Sequence, residues 1–234
     1  MTAETIRREM RRLASRDKAR DLQRFFKTGK GEYGEGDVFI GLTVPNIRKL
    51  ARKHPGLSRA EVRGFLRSRI HEERLFALLV LVRQFSRGDE RTRKQIYTFY
   101  LKNARYVNNW DLVDLSAHQI VGAYLQDKDR AVLWRLAQSK DLWERRIAVL
   151  STFHYIRDKD FTDALRIADV LLHDEHDLIH KAVGWMLREI GNRDLRVEKR
   201  FLKPRYRTMP RTMLRYAIEK FPESLRQKYL KGKV

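Results

Sequence analysis

The segment WDLVD, residues 110–114, places a tryptophan and an aspartate four positions apart. Positions i and i+4 are neighbours on one helix face, so Trp110 and Asp114 are predicted to lie side by side, while Asp111 points elsewhere. A carboxylate stabilises positive charge at short range, and an indole face attracts cations through its quadrupole. The pair suits a reaction with a cationic transition state, such as glycosidic cleavage through an oxocarbenium-like sugar. The alternative is that Trp110 is a core residue and Asp114 an exposed or capping carboxylate.

Two later segments repeat the combination of an indole and a charged group. In DLWERRIAVL, Trp143 and Arg146 are three positions apart and share a helix face. In HKAVGWMLREIG, Trp185 lies one turn after Lys181 and one turn before Glu189. Three such combinations in successive repeats favour a pocket floor of indoles surrounded by cations, although aromatic residues at helical spacing also fill protein cores.

The chain is strongly basic, because it has 51 Lys and Arg residues and only 30 Asp and Glu residues, which gives a formal net charge of +21. Such an excess causes self-repulsion in the compact state, which a polyanion relieves. A nucleic acid is the favoured partner, since neutralising its phosphates releases counterions. An anionic membrane surface and an acidic protein partner are the alternatives.

Five cations stand at comparable points of successive apolar repeats. Equivalent positions of a repeat protein fall along one ridge, so these cations are predicted to form a track that binds a phosphate backbone. For each residue taken alone, the alternative is a solvated outward face. The five DNA-binding candidates are Arg145, Arg146, Lys181, Arg211 and Arg215.

Helical periodicity dominates the chain. Apolar residues recur at i, i+3, i+4 and i+7, and period-2 alternation is scarce. The segments EERLFALLVLVRQF, ERRIAVLSTFHYI, IHKAVGWMLREIG and PRTMLRYAIEKF share one pattern, at the spacing of roughly 35 residues that is typical of helix-pair repeats. We predict an all-α, HEAT-like helical repeat solenoid with a concave, positively charged groove. No interior linker is evident, so residues 1–234 are predicted to form a single domain.

Several classes of function are disfavoured by composition. The chain has no Cys, which excludes disulfides and thiolate chemistry. No apolar run is long enough to cross a bilayer, and the charged N-terminus lacks the apolar middle of a signal peptide, so a soluble cytoplasmic protein is expected. The segment HDEHDLIH contains His173, His176 and His180 but lacks HExxH spacing, and acidic residues at a helix start are explained by the helix dipole. We expect no metal and no cofactor.

Four segments, taken in order and with their spacing, resemble the AlkD family of DNA alkylation repair enzymes, which are HEAT-like alkylpurine DNA glycosylases. The resemblance runs from about residue 25 to about residue 221. In some relatives a second tryptophan precedes the one at Trp110, and here that place is taken by Asn109. The segments are GEYGEGDVFIGLTVPNIRKLA, VNNWDLVD, LWERRIAVLSTF and IHKAVGWMLREIG.

The resemblance implies hydrolysis of the N-glycosidic bond of N3- or N7-alkylated purines in double-stranded DNA, without a cofactor. The family's catalytic aspartate falls on Asp114, expected to stabilise the oxocarbenium ion and orient the attacking water. Its active-site indoles fall on Trp110 and Trp185, and its backbone-contacting arginine falls on Arg146. The substrate bases carry a positive charge and leave without protonation, which agrees with the lack of a second carboxylate as general acid.

Two other functions are compatible with the same composition. The chain is alternatively a non-catalytic HEAT-like protein that binds DNA or recognises damage, or a scaffold for an acidic protein partner. A monomer is expected, because a groove that engulfs a duplex does not require a second subunit.

Overall fold

A computed structural model describes residues 2–234, and its regular secondary structure within that range is helical. The strand-like pairing in the described chain is one isolated bridge between Val38 and Ile70. The chain divides into two compact units, one ending at Ser116 and the other spanning Ala117–Val234. The organisation of residues 1–234 as a single domain stays a proposal.

The described part of the first unit, residues 2–116, contains seven α-helices. Thr43 is the N-cap of the third helix, and Pro45 occupies its second position, where the lack of a backbone N–H costs no helical hydrogen bond. The fourth helix begins with a capping box, in which Ser58 and Glu61 satisfy each other's backbone N–H groups. The helices are α1 Ala3–Arg12, α2 Arg16–Phe25, α3 Val44–Lys53, α4 Arg59–Leu66, α5 His71–Arg87, α6 Glu90–Lys102 and α7 Trp110–Asp114.

Helix α5 forms the centre of the first unit and packs against α3, α4 and α6. Most of its apolar residues are buried, and Phe76, Val80 and Leu81 are completely so. Burying one such side chain is worth about 1.5–3 kcal/mol, so this helix provides much of the hydrophobic stabilisation of the unit. Its first turn differs, because the four residues at positions 71–74 are polar and buried.

The second unit opens with a π-helical turn, His118–Gly122, and contains eight α-helices. A further 3-10 turn spans Ile218–Lys220. The helices are α8 Ala131–Ala137, α9 Leu142–Ser151, α10 Phe153–Arg157, α11 Thr162–Val170, α12 Asp177–Gly191, α13 Leu195–Leu202, α14 Arg211–Ala217 and α15 Glu223–Leu230.

Helix α12 is the centre of the second unit and packs against α9, α11, α13 and α14. Its contact with α14 is close at Gly184, where an added Cβ atom would lie 2.5 Å from the carbonyl oxygen of Met213. Only a residue without a side chain allows the two backbones to approach so closely. This close packing holds α12 in place along the stretch that carries Trp185.

Within the described residues, no helix combines the length and the apolar character that a bilayer crossing requires.

Candidate nucleic-acid interface and catalytic residues

The segment WDLVD forms the short helix α7, which confirms the helical placement of Trp110 and Asp114. Asn109 is the N-cap, and its side-chain oxygen accepts a hydrogen bond from the backbone N–H of Trp110 at 2.8 Å. Trp110 and Asp114 are partly exposed, whereas Asp111 and the two residues after it are buried. One face of α7 therefore presents the indole and the carboxylate, and the opposite face anchors the helix.

An aromatic cluster fixes the orientation of the Trp110 ring. The Phe26 ring is stacked on the indole, with 5.1 Å between centroids and 10° between planes. Phe25 meets the same indole edge-on at 5.9 Å, and its side chain is largely exposed. Phe26 in turn stacks on Phe39 at 4.9 Å. Aromatic pairs in these geometries contribute about 0.5–1.5 kcal/mol beyond their buried area, so the indole is held in one position.

Asp114 lies within electrostatic reach of Tyr100, a fully buried residue of α6. Burial raises the pKa of Tyr100, and the negative charge of Asp114 raises this pKa further, against the opposing effect of Ser116. The Tyr100 and Ser116 hydroxyl oxygens are 2.9 Å apart. The phenol is therefore neutral at physiological pH and adds no second negative charge beside Asp114.

A buried cluster of charged and polar side chains lies against the inner face of α7. The Nε2 atom of His71 is 2.8 Å from Oδ2 of Asp111, and its Nδ1 atom is 3.1 Å from Oδ2 of Asp37. Arg74 donates from Nη2 to Oδ1 of Asp37 at 2.6 Å. Asn109 donates from Nδ2 to Oδ2 of Asp37 at 3.1 Å. All five residues are buried, so this cluster positions backbone segments and does not meet substrate.

Electrostatics stabilise the charged forms within this cluster. Burial raises the pKa of Asp37, but hydrogen bonding to His71 and the charge of Arg74 outweigh burial, and the net pKa is below its ordinary value. Burial lowers the pKa of His71, but Asp111 and Asp37 outweigh that effect and raise it. This cluster was not predicted from the sequence, where its one visible sign is the polar HEER run at the start of a helix that is otherwise mostly apolar.

Trp185 lies partly exposed on α12 in the second unit. Its Nε1 atom donates to Oε1 of Glu189 at 3.2 Å, which confirms that these residues share a helix face. The other carboxylate oxygen of Glu189 accepts from Nη1 of Arg193 at 2.8 Å. The Phe153 ring lies 6.0 Å from the indole, between centroids. The indole is thus oriented by a charged hydrogen-bond chain on one side and a ring on the other, and its part in catalysis stays a prediction.

Arg146 and Arg145 follow one another in α9 but lie in different environments. Arg146 is only 4% exposed, and its Nη1 atom donates to the carbonyl of Leu178 at 2.5 Å. Arg145 is half-buried, and its Nε atom binds Asp174 at 2.7 Å. Arg146 therefore supports the first turn of α12, and Arg145 supports the segment that leads into that helix.

The other three cations of the predicted track lie closer to solvent. Lys181 forms an ion pair with Asp177 at 2.7 Å, one turn earlier on α12. Arg211 is exposed and donates one of its nitrogens to the carbonyl of Leu230 at 3.0 Å. Arg215 is exposed one turn later on α14. Arg211 and Arg215 therefore present their charge most directly to solvent, and the continuous cationic track stays a prediction.

The histidine-rich segment HDEHDLIH forms the junction that leads into α12, as expected. His176 is the N-cap of this helix, and its Nδ1 atom accepts from the backbone N–H of Leu178 at 3.1 Å. The His180 ring is hydrogen-bonded to the carbonyl of Asp174. Across residues 2–234, no group of three or more His, Asp or Glu side chains is arranged to hold a metal ion.

Comparison with known proteins identifies the family. The family model described as "DNA alkylation repair enzyme" matches residues 6–221. The chain belongs to this DNA alkylation repair enzyme family. A solved structure described as "Predicted DNA alkylation repair enzyme from Enterococcus faecalis" superposes with a TM-score of 0.69 at 14% identity, covering 90% of this chain and 97% of that one. No curated protein matches the sequence significantly. The shared fold confirms the predicted all-α, HEAT-like class.

Proposed function

We propose that this member of the DNA alkylation repair enzyme family is a DNA glycosylase that hydrolyses the N-glycosidic bond of cationic N3- or N7-alkylated purines in duplex DNA. The observation that carries the proposal is the exposure of Trp110 and Asp114 together on one turn of α7. Family membership supports a role in alkylation repair. The pairing of a fixed indole with a carboxylate supports the specific chemistry, because both groups stabilise a developing positive charge.

The proposed reaction breaks the bond between C1′ of the deoxyribose and the alkylated ring. The bonding electron pair goes to the base, whose positive charge it neutralises, and the base leaves without protonation. The positive charge then lies on C1′ and O4′ of the sugar, where the Asp114 carboxylate stabilises it. Two unit charges 4 Å apart attract by about 4 kcal/mol at an effective dielectric constant of 20, which corresponds to roughly a thousandfold in rate. Water adds to C1′, with its proton passing to the carboxylate, and an abasic site remains.

The indoles are assigned supporting roles in the proposal. Trp110 contacts the deoxyribose of the damaged nucleotide through the face that Phe26 does not cover. In the second unit, Trp185 contacts the lesion strand, in the orientation that Glu189 and Phe153 give it. Each indole presents a polarisable face to a cationic sugar, which a neutral aliphatic side chain would not do.

Binding of the duplex is proposed to depend on the cations of the second unit. Arg211 and Arg215 contact backbone phosphates directly, because both side chains are exposed on α14. Arg145, Arg146 and Lys181 are also assigned to the DNA-binding set, and Arg146, which is buried, acts there by holding the first turn of α12 in place. We propose that the protein acts as a monomer in the cytoplasm, without a cofactor.

The deciding experiment is incubation of the protein in excess with a duplex that carries one 7-methylguanine. The expected result is time-dependent appearance of free 7-methylguanine, measured by mass spectrometry, and an equal amount of alkali-labile abasic sites. The same duplex with unmodified guanine is the control, and we expect no release from it. Tight binding of the alkylated duplex without any released base would instead show a damage-recognition protein that does not cleave.

A further inference from the structure

Both nitrogens and one face of the His71 imidazole are in contact with other side chains. Its ring nitrogens lie 3.1 Å from Asp37 and 2.8 Å from Asp111. One of its faces is stacked against Phe39, with 4.6 Å between centroids, and the Phe26 ring lies 4.9 Å away. The imidazole can neither rotate nor move without breaking several of these contacts.

The protonated form of His71 completes the cluster. A neutral imidazole carries a single N–H and can donate to only one of the two carboxylates, whereas the imidazolium donates to both Asp37 and Asp111. With His71 protonated, the two carboxylates are balanced by two cations, since Arg74 also pairs with Asp37 at 2.6 Å. With His71 neutral, one buried carboxylate faces a bare ring nitrogen, which is a costly arrangement. The donor beside Nδ1 is Nη2 of Arg74, at a long 3.4 Å, and it also donates to Asp37.

The cluster connects directly to the residues on either side of Trp110. Asn109, which caps α7, donates to Asp37, and Asp111 is the second residue of the helix. Asp111 also accepts from the backbone N–H of Leu112 at 2.9 Å, within the first turn of α7. The placement of Trp110 therefore depends on the two carboxylates that His71 bridges.

We propose that His71, in its protonated form, is a positioning residue that fixes α7 and thereby the placement of Trp110 and Asp114 for base excision. This inference rests on the function proposed above. His71 acts through Asp111 and Asp37 and does not touch substrate, because it is 1% exposed. The groups that face its imidazole are Asp37, Asp111 and Arg74: burial and the charge of Arg74 lower the pKa of His71, and the two carboxylates outweigh them and raise it.

The first test compares His71→Gln with the wild type by single-turnover release of 7-methylguanine and by duplex affinity. We expect the release rate to fall about tenfold or more, because small displacements of catalytic groups have large effects on rate. The dissociation constant for the duplex should stay within about twofold, since His71 is buried and has no surface to offer a phosphate. A His71→Gln enzyme that releases base at the wild-type rate would overturn the proposal.

The matched control is His54→Gln in the same unit. His54 is also buried and also contacts a carboxylate, with 3.2 Å between its Nε2 atom and Oε2 of Glu9. This contact joins the end of α3 to α1 and does not involve α7. We expect His54→Gln to release base at nearly the wild-type rate. Equal slowing in both variants would show a general structural effect and would overturn the positioning role.

The second test uses the unmodified protein, and so remains informative if His71→Gln does not fold. Protonation of His71 is followed by ¹⁵N NMR of its imidazole, and release of base is measured across the same pH range. We expect the release rate to fall as the pH rises through the His71 midpoint. A rate that stays constant across that midpoint contradicts the inference.

The indole resonance of Trp110 separates this inference from the proposed glycosylase activity. The resonance is assigned by its loss in Trp110→Phe. If no base is released by the wild type, the proposed function fails, but the indole signal still reports whether α7 responds to His71. We expect the chemical shift of the Trp110 indole to change with pH at the same midpoint as His71. An indole chemical shift that does not change across this midpoint would by itself overturn the positioning role.

Discussion

The Trp110 indole and the Phe26 ring lie nearly parallel, with 5.1 Å between centroids and an interplanar angle of 10°. One face of the indole is thereby occupied by protein. Asp114 follows one turn later on the same short helix, so its carboxylate is held relative to that indole by the backbone of α7. In the proposed reaction, a pair fixed in this way needs no rearrangement before it meets the positively charged sugar, which is what preorganised catalysis requires.

Replacement of Asp114 by Asn is expected to reduce release of 7-methylguanine by about a hundredfold or more. The amide keeps the shape of the carboxylate but loses the charge that stabilises the oxocarbenium ion. Duplex affinity should be unchanged or slightly higher, because one negative charge near the phosphates is removed. Single-turnover assays measure the release rate, and fluorescence anisotropy measures duplex affinity.

Asp21→Asn, which removes an exposed carboxylate from α2 of the same unit, is the control and should release base normally. Full release by Asp114→Asn would refute the role assigned to this carboxylate.

Truncation of Trp110 to Ala is expected to slow base release more than it weakens duplex binding. Trp110→Phe should lie between Ala and the wild type, since a phenyl ring can still stack on Phe26. The same ordering is expected for Trp185→Ala in the second unit. Trp134→Phe provides a matched control, because this indole contacts Arg166 at 4.3 Å and has no assigned role. Equal losses in rate and affinity would support the simpler interpretation that these indoles are core residues.

The all-helical fold and the helical placement of the site were accessible from the sequence, because both depend on short-range periodicity. Rules about neighbouring positions account for the first turn of α3. They also account for the helix face shared by Trp110 and Asp114 and for the face shared by Trp185 and Glu189. Such rules do not depend on long-range tertiary contacts, since they describe contacts within one or two helical turns.

The buried cluster beneath α7 could not be predicted, because its partners are distant in sequence. Asp37 and His71 are 34 positions apart, and His71 and Asp111 are 40 apart. No periodicity connects them. Arg146 illustrates the same limit. Its position in the repeats placed it on a predicted cationic track, whereas it is buried and contacts Leu178, which is 32 positions away in sequence.

Replacement of Arg146 by Ala is expected to lower both thermal stability and affinity for any duplex. The guanidinium hydrogen-bonds the Leu178 carbonyl at the start of α12, and loss of such a buried contact costs about 1–3 kcal/mol. Because Arg146 is buried, its effect on the DNA backbone is expected to act through the position of α12, and the loss of affinity should not depend on base sequence. Differential scanning fluorimetry and binding to several unrelated duplexes provide the measurements. A loss of affinity restricted to one sequence would contradict a backbone contact.

Neutralisation of Arg211 and Arg215 together is expected to reduce the salt dependence of duplex binding. Each phosphate contact adds about 0.9 to the slope of log K against log salt concentration, so the double Gln variant should lose close to 2. A double variant of Arg91 and Lys94, two exposed cations of α6, carries the same charge change as a control. An equal reduction in both variants would indicate an effect of net charge alone. A wild-type protein with no salt dependence would favour the scaffold alternative.

Replacement of Glu198 by Gln is expected to stabilise the protein at neutral and alkaline pH but not at pH 4. Glu198 is buried on α13, and burial raises its pKa to about 9 despite the opposing effect of Arg188. The unfolded chain titrates this group near 4.5, so the folded state retains its proton in the window between these values. The free energy of unfolding therefore falls as the pH rises from 4.5 through about 9, by about 1.4 kcal/mol per unit and about 3 kcal/mol at pH 7. Gln has the same shape and no charge, so this pH dependence should disappear.

Urea denaturation at pH 4, 6 and 8 measures the free energy of unfolding of each variant, and Glu175→Gln is the exposed control. If the wild type and Glu198→Gln lose stability in parallel as the pH rises, the Glu198 carboxyl is not the cause.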